Sequence, residues 1–207
     1  MNVIDNRLNS LNTFLDIVFA LALFRVVQFL PALHDQRLAD LPNGLLSLLA
    51  SQPTNLERVA FGFVVVVYYW NRKNYFFSVL ARSNGILASL SITAALFLFI
   101  FAYALIADPY MLGGPWTLFI ESISLAVCGF LSLLALHYAI RAGLTDPERR
   151  SAAEQIAHIG LSSPVAAVAA MALSWSGSLI WTLSWFVQMP ALEIYLGRTS
   201  RSPKSST

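Results

Sequence analysis

Residues 12–31 read NTFLDIVFALALFRVVQFLP. This stretch has the length of one bilayer crossing, which takes about 20 predominantly apolar residues. The charged side chains of Asp16 and Arg25 and the polar side chain of Gln28 lie well inside it. A charged side chain near the bilayer centre costs at least ~2.5 kcal/mol, so such residues are usually paired or functional. The stretch therefore predicts a transmembrane helix whose polar side chains are either paired or functional.

The composition of the whole chain points the same way. Of its 207 residues, 57% are hydrophobic and 12% are charged, whereas a soluble domain carries about 25% charged residues. This predicts a polytopic membrane protein and excludes a soluble enzyme. The net charge of +2 gives no electrostatic case for nucleic-acid binding. Cys128 is the single cysteine, so an intramolecular disulfide is impossible.

Six apolar stretches are long enough to cross the bilayer, which predicts an all-α fold of six transmembrane helices. They cover residues 11–31, 56–77, 85–107, 116–140, 154–174 and 177–196. We expect a single domain over residues 1–196. Residues 197–207 are small, polar and basic, and predict a disordered cytoplasmic tail.

The distribution of Lys and Arg predicts the orientation. With six spans, the two termini and the 2–3 and 4–5 loops share one side, which carries ten basic residues. The other side carries Arg37 and Arg58. Because basic loops stay in the cytoplasm, both termini are predicted to be cytoplasmic.

One stripe of the first helix differs from the rest of its surface. At 100° per residue the stripe begins polar, becomes apolar and spans roughly 80°. Its members are Asn12, Asp16, Phe19, Leu23, Val27 and Leu30. In one interpretation these are packing residues, and Asp16 accepts hydrogen bonds from a neighbouring helix. In the other, the stripe faces a symmetry axis, and Leu23, Val27 and Leu30 form apolar rings that constrict an ion path.

Arg25 needs a partner in both interpretations. It lies about 21 Å from the start of its span, and Glu121 lies about 7.5 Å into a span that runs the opposite way. In a hydrocarbon core about 30 Å thick these depths nearly coincide. We therefore predict a structural Arg25–Glu121 ion pair on the side of helix one away from the pore.

The segment from Phe14 to Leu23 resembles the first-helix signature of the transmembrane protein 175 potassium channels. That signature reads Phe-Ser-Asp, a small residue and Val-Phe-Ala-Ile-Ala-Ile, and Leu15 stands here in place of the serine. The matching residues are Phe14, Asp16, Val18, Phe19 and Ala20. The family's arginine four residues before the phenylalanine is absent, since that position is Ser10. A second resemblance lies in helix two, where Trp70 and Phe77 match a Trp-x-x-His…Phe motif with Lys73 in place of the histidine.

The resemblance implies a homotetrameric, passive potassium channel in a bacterial inner membrane, in contact with lipid. Helix one would line the central pore, and the constriction would lie at Leu23, Val27 and Leu30. K⁺ would be the permeant ion, with no other metal and no cofactor. No TVGYG filter sequence occurs in the chain.

Two other functions stay open at this point. In a secondary transporter, Asp16 and Arg25 would bind substrate or protons at mid-membrane, although the inverted repeats of such proteins are not visible. In a non-transporting assembly protein, the polar residues would only hold partners together. The motifs of the common hydrolases and nucleotide-binding enzymes are missing, so we predict that the protein is not an enzyme.

Overall fold

The computed structural model describes residues 3–28, 53–111 and 114–200. Within these ranges the chain is helical, and a single bridge between Leu80 and Thr145 is the one β-type pairing. In chain order the helices are α1 (Val3–Val27), α2 (Pro53–Ser78), α3 (Gly85–Met111), α4 (Pro115–Arg141), α5 (Arg150–Gly160), α6 (Ser162–Ala172) and α7 (Ser178–Ser200). Short 3₁₀ turns, Pro147–Arg149 and Ser174–Ser176, precede α5 and α7.

Five segments are long and apolar enough to cross a membrane, with α5 and α6 counted as one. The chain is thus a multi-pass membrane protein. Helix α2 lies outside this set because Glu57 and Arg58 near its start and Arg72 and Lys73 near its end leave no stretch between them that is both long and apolar enough. With 26 residues it is nevertheless as long as its neighbours. The sixth crossing stays a prediction.

The predicted fifth span is broken into α5 and α6 at Leu161, three residues before Pro164. A proline has no N–H, and its ring clashes with the carbonyl of the residue four positions earlier. For Pro164 that residue is Gly160, the last residue of α5. Helix α7, by contrast, continues through Pro190 without a break.

The bundle is built around α3 and α4, which share the most extensive helix contact, while α4 also packs on α6. Helix α1 packs on α3 and α2. The main buried cluster joins α1, α2, α3, α4, α6 and α7 through side chains such as Val26, Val66, Phe101, Leu125 and Trp181. Helix α1 therefore lies at the edge of the bundle, with neighbours on one side of it.

The α2–α3 and α4–α5 connections meet at one end of the bundle. The amide of Ala81 donates to the carbonyl of Leu144 at 2.9 Å, and the amide of Asp146 donates to that of Val79 at 3.0 Å. The guanidinium of Arg149 adds a bond to the carbonyl of Ser78 at 2.7 Å. Both connections are predicted to lie on the same side of the membrane, and their pairing agrees with that prediction.

The predicted disordered tail begins too early. Helix α7 runs to Ser200, so residues 197–200 are helical, and the rest of the predicted tail lies outside the described residues. The small polar residues that suggested disorder continue the last turns of α7. Composition alone did not reveal that extension.

Candidate functional site

Helix α1 buries one face against its own subunit and leaves a broad face uncovered. Leu11, Leu15, Ala22 and Val26 are buried, as is Phe19, of which only 6% is exposed. The uncovered side chains recur at intervals of three and four residues. We call them the exposed face of α1: Phe14, Ile17, Leu21, Phe24 and Gln28.

The predicted pore stripe lies outside this face, with its centre about 140° round the helix from the centre of the face. Phe19 points into the subunit, and Leu23 is half-buried against the main cluster. Asn12 is half-buried as well, whereas Val27 is 43% exposed. Leu30 lies outside the described residues. The structure therefore separates the stripe into a packed part and an exposed part.

Asp16 ties α1 to α2. Its Oδ1 accepts a hydrogen bond from Lys73 Nζ at 2.7 Å and another from Trp70 Nε1 at 2.8 Å. Lys73 is only 8% exposed, and its ammonium group lies 5.4 Å from the ring centroid of Phe77. We call Asp16, Lys73 and Trp70 the α1–α2 lock.

The lock unites the two motifs that the sequence presented separately. Asp16 belongs to the helix-one motif, and Trp70 and Phe77 belong to the helix-two motif. Trp70 and Lys73 both donate to Asp16 Oδ1, and the Phe77 ring lies next to the Lys73 ammonium group. Lys73, at the position where the resemblance has a histidine, supplies a positive charge to the Asp16 carboxylate. Asp16 is thus hydrogen-bonded to a neighbouring helix, as the first of the two interpretations expected.

The predicted Arg25–Glu121 pair is wrong. Glu121 is fully buried and accepts a hydrogen bond from Arg58 at 2.7 Å, in an ion pair between α4 and α2. Arg58 lies in the second turn of α2, within the predicted second span of residues 56–77. Depth in the membrane does not determine which way a side chain points around its helix axis. Arg58 lies at a suitable depth and also points toward Glu121.

Arg25 lies elsewhere, next to the exposed face of α1 and about 60° round the helix from its centre. It donates to Gln28 Oε1 at 2.7 Å, and its guanidinium carbon lies 5.6 Å from the centroid of the Tyr103 ring of α3. Asp16 and Arg25 therefore contact different helices. They are separated by nine residues, or about 13 Å along α1.

A second polar network, which the sequence analysis missed, links α2 to α6 and α7. Arg72 Nη1 donates to Tyr68 Oη at 2.6 Å and to Ser162 Oγ at 3.2 Å, and Tyr68 Oη donates to Glu193 at 2.7 Å. Next to it, Tyr69 Oη bonds both the Leu125 carbonyl and Ser163 Oγ. Ser162 and Ser163 lie at the start of α6, directly after the helix break. Polar residues beside a proline were the available sign of this network.

Clusters of side chains suited to holding a metal ion are not found among the described residues. His158 bonds Thr199 at 3.1 Å, and His137 bonds the carbonyl of Leu133 within its own helix. His158 thus links α5 to α7, whereas the bond of His137 stays within α4.

Comparison with known proteins identifies a similar fold among solved structures. No protein-family model and no curated protein matches the chain. Among solved structures, the chain is similar to the crystal structure of a lysosomal potassium-selective channel TMEM175 homolog from Chamaesiphon minutus. The TM-score is 0.69 at 16% sequence identity, over 95% of this chain and 100% of that chain. The fold expected from the helix-one motif is thereby confirmed.

Proposed function

We propose that the protein is a passive potassium channel in which four copies of the chain surround one central path lined by α1. The observation that carries the proposal is the fold, which matches that of a potassium-selective channel over 95% of the chain. The proposal includes insertion in a bacterial inner membrane with both termini in the cytoplasm. K⁺ is the proposed permeant ion, and neither a cofactor nor another metal takes part.

The spacing of the exposed face of α1 supports a lining role. From Phe14 to Gln28 its members follow one another at intervals of three, four, three and four residues. Side chains with this heptad spacing stay on one side of a helix that winds gently around its copies. Phe14, Ile17, Leu21 and Phe24 are all between 46% and 62% exposed on the single subunit. Such an apolar surface, flanked by Gln28, suits a symmetric assembly of α1 helices.

The constriction is proposed at the level of Leu21 and Phe24, with Val27 beside it. A hydrophobic constriction regulates ion passage by excluding water, so the narrowest ring must consist of side chains that the subunit leaves uncovered. Leu23 fits this requirement less well, because it packs on the main cluster. Leu30, the third ring predicted from the sequence, stays a prediction.

Separation of Asp16 from Arg25 weighs against the transporter alternative. A mid-membrane substrate site would draw its polar groups together, whereas Asp16 bonds Lys73 and Trp70, and Arg25 bonds Gln28. The assembly-protein alternative differs from a channel in a measurable property, which is ion flux.

The test is potassium flux into liposomes that contain the purified protein. A channel gives uptake that dissipates a K⁺ gradient, does not saturate and needs no coupled ion. Saturable uptake coupled to a counter-ion would overturn the proposal in favour of a transporter. Absence of flux from an intact oligomer would overturn it in favour of an assembly protein. Liposomes without protein and liposomes prepared with heat-denatured protein serve as controls.

A further inference from the structure

We infer that Arg25 sets the charge selectivity of this pore: a ring of four guanidinium groups lowers the preference for cations over anions. The inference rests on the proposed channel function and on the lining role of α1. It concerns a residue that contributes to specificity, and it follows from where Arg25 lies and from the partners it has.

Arg25 adjoins the exposed face of α1. It lies four residues after Leu21, which is 53% exposed, and three residues before Gln28, which is exposed as well. Residues at these spacings are neighbours on a helix surface. The hydrogen bond to Gln28 Oε1, at 2.7 Å, holds the guanidinium group beside the exposed face. If the exposed face of α1 lines the path, the Arg25 side chain therefore lies directly beside side chains that line it.

The charge of Arg25 is not neutralised within the described part of the subunit. Three other cationic side chains of the bundle each have a carboxylate partner: Arg58 has Glu121, Arg72 has Glu193 and Lys73 has Asp16. Among the described residues Arg25 has no carboxylate within 4.0 Å. Its contacts are the neutral Gln28 amide and the face of the Tyr103 ring. A ring face attracts a cation but leaves its net charge unchanged.

Four copies around one axis would bring four such charges to the same level of the path. Rings of arginine favour anions and raise the barrier for cations, and narrow low-dielectric walls concentrate their field. Potassium would meet this barrier at the Gln28 end of α1, about 13 Å from the level of Asp16. The protein is therefore expected to admit chloride more readily than a channel with a neutral residue at this position.

The experiment measures reversal potentials in planar bilayers under a KCl gradient, for the full chain and three variants. Arg25→Gln removes the charge and keeps a polar side chain of similar reach. Arg25→Lys keeps the charge. Arg141→Gln removes an equal charge from an exposed position in the last turn of α4, far along the chain from α1. Size-exclusion profiles show whether each variant keeps the native assembly.

We expect the K⁺ to Cl⁻ permeability ratio to rise on the order of tenfold in Arg25→Gln, as removal of several unit charges close to the path would produce. Arg25→Lys and Arg141→Gln should keep the ratio of the unmodified protein. The difference between Arg25→Gln and the unmodified protein should shrink at high ionic strength, because salt screens exposed charges. A purely structural role for Arg25 would not give this salt dependence.

Two outcomes overturn the inference, and they are distinguishable. If the unmodified protein conducts and Arg25→Gln has the same permeability ratio, Arg25 does not face the path and the inference alone fails. If assembled protein passes no ions, the proposed channel fails and the inference falls with it.

Discussion

The two members of the Asp16–Lys73 pair sit in different surroundings, and single substitutions should reveal the asymmetry. Lys73 is 8% exposed, whereas the Asp16 side chain is 42% exposed and can be hydrated. Asp16→Asn leaves a buried ammonium group without its counter-charge, which should cost about 1–3 kcal/mol of unfolding free energy. Lys73→Met leaves a carboxylate that water can reach, and should cost less.

Thermal unfolding in detergent, followed by circular dichroism, measures this difference. We expect the midpoint temperature to be highest for the unmodified protein, lower for Lys73→Met and lowest for Asp16→Asn. The double variant should lie close to Lys73→Met, since both charges are then gone. A lower midpoint for Lys73→Met than for Asp16→Asn would contradict this account of the lock.

A second residue-scale prediction concerns the buried Arg58–Glu121 pair. Glu121→Gln should lower the unfolding free energy by roughly 3–5 kcal/mol, because it leaves the Arg58 charge inside the bundle without its carboxylate. Arg58→Met in the same chain should restore most of the loss. Arg25→Gln should restore none of it, since Arg25 bonds Gln28. Rescue by Arg25→Gln in the thermal assay would instead support the pair predicted from depth alone.

At the residue scale the sequence predicted which side chains matter better than it predicted their partners. Asp16, Trp70 and Phe77 were singled out as motif residues and do meet. Glu121 was paired with Arg25 because both have suitable depths. Depth gives one coordinate, and the partner depends equally on the rotation and neighbours of each helix, which periodicity did not supply here.

Within element α1, exchange of one leucine for asparagine should have different effects at two neighbouring positions. Leu21 belongs to the exposed face, and Leu23 packs on the main cluster. Leu21→Asn should raise K⁺ flux in liposomes several-fold, because a polar ring keeps water in a constriction. Leu23→Asn should reduce the yield of folded protein, since it buries an amide among apolar side chains. The reverse pattern would return the constriction to the stripe predicted from the sequence.

Gly129 of α4 sets how closely α6 approaches. A Cβ at this position would lie 2.8 Å from Ser163 Oγ and 3.1 Å from the backbone nitrogen of Pro164. Gly129→Ala should therefore push α6 away and cost about 1–3 kcal/mol, as overpacking does. Gly85→Ala is the matched control, because nothing lies within 4 Å of a Cβ there. Equal midpoint temperatures for the two variants in thermal unfolding would argue against close packing of α4 on α6.

At the scale of elements, apolar length predicted the positions of the helices, and special residues determined the deviations. The predicted fifth span consists of two helices with Leu161 between them, and Pro164 accounts for the break. The helical wheel identified a coherent stripe on α1, but the centre of that stripe lies about 140° round the helix from the centre of the exposed face. Both faces of α1 are largely apolar, so composition could not tell which one the subunit covers.

For the whole molecule, the proposed assembly makes a simple prediction about mass. Purified protein should have a mass of four times the 22.8 kDa chain, after correction for bound detergent. Light scattering with a detergent-mass correction measures this directly. Crosslinking through cysteine at Phe24, with Cys128 changed to serine, should join subunits if the exposed faces of α1 meet. A monomer that still conducts potassium would contradict the central path.

The fold of the whole molecule was more predictable than its surface. Hydropathy and a short motif led to a potassium-channel fold, which a match over 95% of the chain confirms despite 16% identity. Burial of apolar helices tolerates many sequences as long as the pattern of lengths is kept. What covers an exposed apolar face depends on neighbouring copies or lipid, and neither leaves a distinct pattern in one chain.

The α1–α2 lock limits the motions that are open to the first helix. A rotation of α1 about its own axis would break the hydrogen bonds that Lys73 and Trp70 of α2 donate to the Asp16 carboxylate. A tilt of both helices as one body keeps these bonds. In the proposed channel the path would then widen by outward tilting of the four α1–α2 pairs, each of which moves as a rigid body. A displacement of α2 would therefore be transmitted to the pore-lining helix α1 through the α1–α2 lock.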